Sequence, residues 1–236
     1  MVQSKKSLLY SICFMLFIDS MAQGLTFPIL PELFLNSQFG LVTDDLYVSK
    51  ELLISMTFAL FPLSSMFGMP ILGLISDKYG RKIVILYGLS GLILSELMNI
   101  IAILTHTTWL FLLCIILSGF LSGIYAVGDA LISDISDSDE QRVSNFKLPV
   151  VASLLGFISG PALSIFVGNI AIVNPLVTPF IIALALSIIN FALLWCNLNN
   201  YIIKNVIDKC IKSNTCLLYT SPSPRDRTRS RMPSSA

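Results

Sequence analysis

Acids set inside long apolar runs are the residues of this chain best placed to do chemistry. Asp19 sits near the middle of the first run, with Gln23 and Thr26 four and seven residues further on. Those intervals put all three on one face of a helix. Charge in hydrocarbon is costly, so such a face turns away from lipid and toward a polar cavity. There Asp19 could bind and release a proton or meet a cationic substrate. Glu96 lies midway along the third run with Asn99 on the same side one turn later, and the same reasoning applies to this pair. Asp129 falls near the end of the fourth run, where water can reach it, and is expected to act as a structural partner. His106 is the only histidine and is expected to be solvated in a turn.

A second constellation is made of Gly73, Asp77, Lys78, Gly80, Arg81 and Lys82, wedged between two apolar runs. A charged knot this tight belongs at a membrane surface, where it ties down a short link between two spanning helices. Lys78 and Lys82 are read as topology determinants. Gly-rich phosphate loops and metal-ligand clusters are absent, so neither a cofactor nor a metal is expected.

The elements that position these residues follow from composition. Apolar residues make up 55% of the chain and charged ones only 12%, with a mean hydropathy of +0.81. Ordinary soluble domains carry roughly a quarter charged residues. A net charge of +1 implies no nucleic-acid partner. Cys13, Cys114, Cys196, Cys210 and Cys216 form no C-x-x-C pair, and three of them lie in apolar runs. Neither disulfides nor a zinc site are implied.

A span needs about 20 apolar residues, and six segments qualify: Leu8–Leu30, Leu52–Ile75, Ile83–Leu104, Trp109–Ser133, Leu148–Ile170 and Pro175–Leu198. Between them lie an outer loop over Pro31–Lys50, the Asp77–Lys82 knot, a turn at His106–Thr108, an acidic loop over Asp134–Lys147 and a turn near Asn174. With the N-terminus inside, Lys5, Lys6, Lys78, Arg81, Lys82, Arg142, Lys147, Lys204, Lys209 and Lys212 all face the cytoplasm, and only Lys50 faces out. That asymmetry sets the orientation. Trp109 and Trp195 read as interface anchors.

Small residues recur every four positions in the fifth span as Ala152, Gly156, Gly160, Ser164 and Gly168, and in the fourth as Ser118, Ser122, Ala126 and Ala130. Such stripes let helix backbones approach closely in lipid. The segment from Cys216 to Ala236 is of another kind. It resembles the in-frame translation of a sequencing-library adapter, so residues 216–236 are set apart as a disordered tail and 1–215 as the folded unit.

The knot resembles the signature G-x-L-x-D-[RK]-x-G-[RK]-[RK] of the major facilitator superfamily, with Ile75 in place of the leucine. Gly156, Gly160, Pro161 and Ser164 resemble that superfamily's antiporter pattern G-x-x-x-G-P-x-x-G, with Ser164 in place of the last glycine. Asp19, Pro28, Leu30 and Pro31 resemble the first helix of tetracycline-type efflux proteins, the glycine being shifted to Gly24. Ile115 stands where those proteins carry an arginine tied to proton coupling.

The resemblance implies an all-α membrane protein whose six helices form the N-terminal half of a major facilitator fold. It implies alternating access between two such halves in the plasma or inner membrane, with a small molecule expelled in exchange for protons. It makes the missing C-terminal half a partner beside the lipid bilayer. It further implies that Arg81 pairs with Asp134, and that Asp77 meets a helix start in the other half. Together with Gly73, Gly80 and Lys82 these residues would gate the inner side. A metabolite symporter of the same superfamily and a non-transporting six-helix subunit are the alternatives, and the sequence does not identify a substrate. Single cysteines at Asn36 and Ser138, in a background free of native cysteines, should label from opposite sides of intact cells with an impermeant thiol reagent. Labelling of Ser138→Cys from outside would overturn the orientation.

Overall fold

A computed structural model describes residues 2–35, 41, 48–136, 138–167 and 176–197. All regular structure among them is helical. Helix α1 (Val2–Thr26) passes through a 3-10 turn (Phe27–Ile29) into α2 (Leu30–Leu35). There follow α3 (Lys50–Tyr79), α4 (Arg81–Leu104), α5 (Thr108–Leu121), α6 (Ile124–Ile135) and α7 (Asp139–Val167), and then α8 (Thr178–Asn197). Among the described residues six helical segments are long and apolar enough to cross a membrane, with α1 and α2 joined in the first and α5 and α6 in the fourth.

Three segments depart from the hydropathy-based boundaries. The loop expected over Pro31–Lys50 begins as helix, because α2 carries the chain to Leu35 and buries Leu30, Leu33 and Phe34. Pro28 and Pro31 sit in the 3-10 turn and the first turn of α2, where no backbone N–H is needed. The acidic loop expected over Asp134–Lys147 is mostly the start of α7. Ser138 Oγ accepts from the Gln141 N–H at 3.2 Å, and Asp139 and Glu140 occupy the first turn, where negative charge is favoured. The fourth span is broken at Ser122–Gly123, where Tyr125 N–H donates to Ser122 O and Ala126 N–H to Gly123 O over three residues rather than four. Gly168, Ile170, Asn174, Pro175 and the tail from Cys216 lie outside the described residues.

Two glycine crossings hold the spans together. A Cβ placed on Gly160 of α7 would lie 2.5 Å from the carbonyl carbon of Gly24 in α1. One on Gly24 would lie 2.6 Å from Phe157 O and 3.1 Å from Pro161 Cδ. Gly156 meets Phe17 O in the same way one turn further in. The second crossing joins α3 to the fourth span. There a Cβ on Gly119 would lie 2.5 Å from Phe61 O, and one on Gly123 2.5 Å from the carbonyl carbon of Gly68. The fourth span therefore approaches its neighbour through Gly119 and Gly123, beside the small stripe expected from the sequence. Ser118 and Ser122 are buried and turn their hydroxyls back onto Ile115 O and Gly119 O.

An apolar cluster closes the end of the bundle that carries α2, with Phe34 and Phe180 each edge-on to Phe111 at 6.1 Å between ring centroids. Asn190 of α8 donates to Met15 O of α1 at 3.2 Å, anchoring the sixth span to the first. In contrast, α3 and α7 present large apolar side chains outward, among them Met66, Phe67, Leu74, Leu154 and Ile158. Gly73 has open space on its Cα side, with nothing within 4 Å of a Cβ there.

The two kinds of glycine should respond differently to substitution. Gly160→Val should cost about 1–3 kcal/mol through overpacking, read as a lowered thermal midpoint in detergent. Gly73→Ala should leave that midpoint unchanged or raised, because alanine favours a helix and meets no neighbour. Equal losses in the two variants would mean that the crossing is not tight.

Candidate functional site

A cavity of about 290 Å³ lies among the spans. Asp19, Gln23 and Thr26 reach it from α1, Glu96 and Asn99 from α4, and Ile115 and Ser118 from α5. The five polar candidates picked out in the first and third spans thus line one space. Asp19 and Asn99 are buried, 8% and 2% exposed. Among the described residues no lysine, arginine or histidine lines the cavity, and Ile115, at the position of the relatives' expected arginine, faces it with an apolar side chain.

Hydrogen bonds organise one wall. Gln23 Nε2 donates to Asp19 Oδ2 at 3.2 Å and to the Tyr125 hydroxyl oxygen at 2.8 Å. Thr26 Oγ1 donates to the carbonyl of Gln23 at 3.1 Å, which leaves its lone pairs toward the cavity. On the other wall Glu96 Oε2 and Asn99 Oδ1 are buried acceptors without a donor among the described residues. Leaving such atoms unpaired is expensive, so they call for a donor: a proton on the carboxyl, a water molecule, or a ligand N–H, O–H or cation. Phe27, Phe58, Phe61, Phe157 and Phe180 also line the cavity, together with smaller apolar side chains and the hydroxyls of Thr57 and Ser187. The Phe27 ring centroid lies 4.8 Å from that of Phe58 and 5.8 Å from that of Phe157. Acids and aromatic faces around an apolar space form an environment that favours cationic or hydrogen-bond-donating groups.

Sequence reasoning missed Tyr125 and Asn190. Tyr125 was detectable as a polar side chain seven residues after Ser118, on the same helical stripe. Asn190 is a single amide amid the apolar residues of α8. Gly156, Gly160 and Pro161 do not line the cavity but form the α1–α7 crossing beside it, and Phe157 projects from that segment into the lining. Ser164 follows one turn later, half-buried.

At the opposite level, α3, α4 and α6 converge on Arg81. Its Nε donates to Asp134 Oδ2 at 2.7 Å, and its Nη1 lies 3.0 Å from Asp77 Oδ1 and donates to Ser76 Oγ at 3.0 Å. One guanidinium thus bridges the ends of three helices. Gly80 makes the link possible, since its φ of 97° lets α3 end and α4 begin on a single residue. Lys82 lies 5.9 Å over the Trp195 ring of α8, and Lys78 5.4 Å over its neighbour Tyr79. Among the described residues no group of His, Cys, Asp and Glu could hold a metal ion.

Residues 12–204 match the family model described as the Major Facilitator Superfamily. The chain is 32% identical over 174 residues to the class B tetracycline resistance protein of Escherichia coli, which covers 74% of this chain and 40% of that protein. It is 30% identical over 176 residues to the class C tetracycline resistance protein of the same organism, covering 75% and 41%. To the quinolone resistance protein NorA of Staphylococcus aureus it is 30% identical over 184 residues, covering 78% and 43%. The chain thus spans about two fifths of the length of these relatives.

The Arg81–Asp134 pair is 24% and 53% exposed, so water screens it. In a double-mutant cycle of Arg81→Ala and Asp134→Ala, unfolding in detergent should give a coupling of about 0.5–1 kcal/mol. Strict additivity would mean that the two side chains act independently.

Proposed function

Because the chain belongs to the Major Facilitator Superfamily, we propose that it forms the six-helix half of a carrier that expels a small molecule in exchange for protons. The observation that carries this reading is the cavity, where Asp19 and Glu96 share one space with aromatic side chains and, among the described residues, no basic one. An exchanger needs a site that protons and substrate both seek, and buried acids meet that need. With acids as the only charged groups among the described residues that line the cavity, the fitting substrate is an apolar molecule bearing a cationic or hydrogen-bond-donating group. The tetracycline and quinolone resistance proteins among the relatives are consistent with such cargo.

In this reading the substrate site is completed by a second six-helix half, and the two halves rock about it. Arg81, with Asp77 and Asp134, latches the inner side while the cavity faces outward, and Gly73, Gly80 and Lys82 belong to the same gate. Gly156, Gly160 and Pro161 keep α7 against α1 through the motion. The protein lies in the plasma or inner membrane with its N-terminus in the cytoplasm, as the distribution of basic residues favours. It carries out transport rather than an enzymatic reaction.

The test uses proteoliposomes that contain this half joined to its complementary half. Asp19→Asn should lower substrate-driven proton movement at least tenfold while protein yield stays near normal, and Glu96→Gln should lower it less. Wild-type flux in Asp19→Asn at every pH would make Asp19 a structural group and sink the proposal.

A further inference from the structure

Gln23 meets Asp19 and Tyr125 with one and the same atom. Its Nε2 lies 3.2 Å from Asp19 Oδ2 and 2.8 Å from the Tyr125 hydroxyl oxygen, and donates to both. These two bonds use both hydrogens of the amide. They also join α1 to α6 beside the cavity, because Tyr125 lies in the first turn of α6, just past the break at Ser122–Gly123. Asp19 is buried, and Gln23 and Tyr125 are half-buried.

The arrangement suits Asp19 in its charged state. A carboxylate only accepts, and the amide nitrogen supplies a donor. A proton on Oδ2 would turn that oxygen into a donor facing a donor. Rotating the Gln23 amide by half a turn removes the conflict, since it puts Oε1 where Nε2 stood. The amide oxygen then accepts from Asp19 and also from Tyr125, whose hydroxyl has changed from acceptor to donor toward Gln23. Amide oxygen and nitrogen are close to equal in size, so both hydrogen bonds reverse while the heavy atoms keep their places.

We propose that Gln23 is a proton-state switch, orienting the Asp19 carboxylate and, by turning its amide, passing the charge state of Asp19 to Tyr125 on α6. This rests on the reading of Asp19 as the proton-binding acid of the cavity. Gln23 and Tyr125 are positioning residues here: the proton stays on Asp19, and the tyrosine keeps its own. The helix that receives the change also carries Asp134 in its last turn, bound to Arg81. Few other groups around Asp19 titrate. From α4, Glu96 shares the cavity. The described residues of α3, α5, α7 and α8 that line it are apolar or carry hydroxyls, and none is an acid or a base. Cys13 and Asp129 stand further along α1 and α6 and do not line the space.

The test is an infrared titration of the 236-residue chain in lipid nanodiscs. It follows the carbonyl band of protonated Asp19, identified by its loss in Asp19→Asn, and the phenol C–O band of Tyr125, identified by its loss in Tyr125→Phe. The phenol band differs in frequency between a hydroxyl that accepts and one that donates. In the unaltered chain the Tyr125 band should shift with the midpoint of the Asp19 band, although Gln23 stands between the two side chains. Gln23→Met, which keeps the volume and removes the amide, should leave Asp19 titrating and cut the Tyr125 shift to less than half. Glu96→Gln should keep the two bands moving together. The proposal is overturned if Tyr125 stays still while Asp19 titrates, as it would with the proton on Oδ1 and the amide unturned. It is equally overturned if Asp19 shows no midpoint, or if the Tyr125 shift survives undiminished in Gln23→Met. The comparison in the unaltered chain needs no variant at Gln23, so it decides the matter even where Gln23→Met fails to fold. None of these readouts uses transport, so a failure of the carrier reading would show in the flux of Asp19→Asn and not here.

Discussion

Apolar helices in hydrocarbon gain nothing from burying apolar surface against each other, because lipid is as apolar as they are. What remains is close packing, and this chain achieves it by removing side chains where two helices must touch. Gly24 meets Gly160 across the first and fifth spans, and Gly68 meets Gly123 across the second and fourth. At each point backbone lies against backbone. The rest of the arrangement depends on those contacts, since they fix which face of each helix turns inward.

The first span makes the dependence concrete. Phe17, Met21 and Gly24 face α7, while Asp19, Gln23 and Thr26 form the adjacent stripe and face the cavity. A bulkier residue at Gly24 would push α1 off α7 and rotate the acid with it. The glycine–proline segment of α7 thus acts on the cavity without touching its contents. Phe157, placed between the two glycines of that segment, is the residue through which α7 does reach the cavity.

Periodicity made the local half of this legible. Asp19, Gln23 and Thr26 share a face by spacing alone, as do Glu96 and Asn99. That both sets open into one cavity depends on how α1 and α4 pack, which spacing does not encode. The Arg81–Asp134 pair joins residues 53 positions apart and was suggested by resemblance rather than by any local pattern. Tyr125 escaped notice because a tyrosine in an apolar run reads as an interface residue until its partner Gln23 is in place. The start of α7 was missed because its first turns are polar, and hydropathy registers only the apolar part of a helix that Ser138 caps more than two turns earlier.

Gly80 is the whole connection between α3 and α4, and a joint of one residue has no slack. Longer linkers absorb displacement as a change in their own shape. Here a tilt of α3 must be taken up at once as a tilt of α4 or as a torque on the guanidinium next to the joint. The second and third spans therefore behave as a bent lever with Arg81 at its elbow. Small movements along the length of α3 would be felt at the far end as a pull on Asp134.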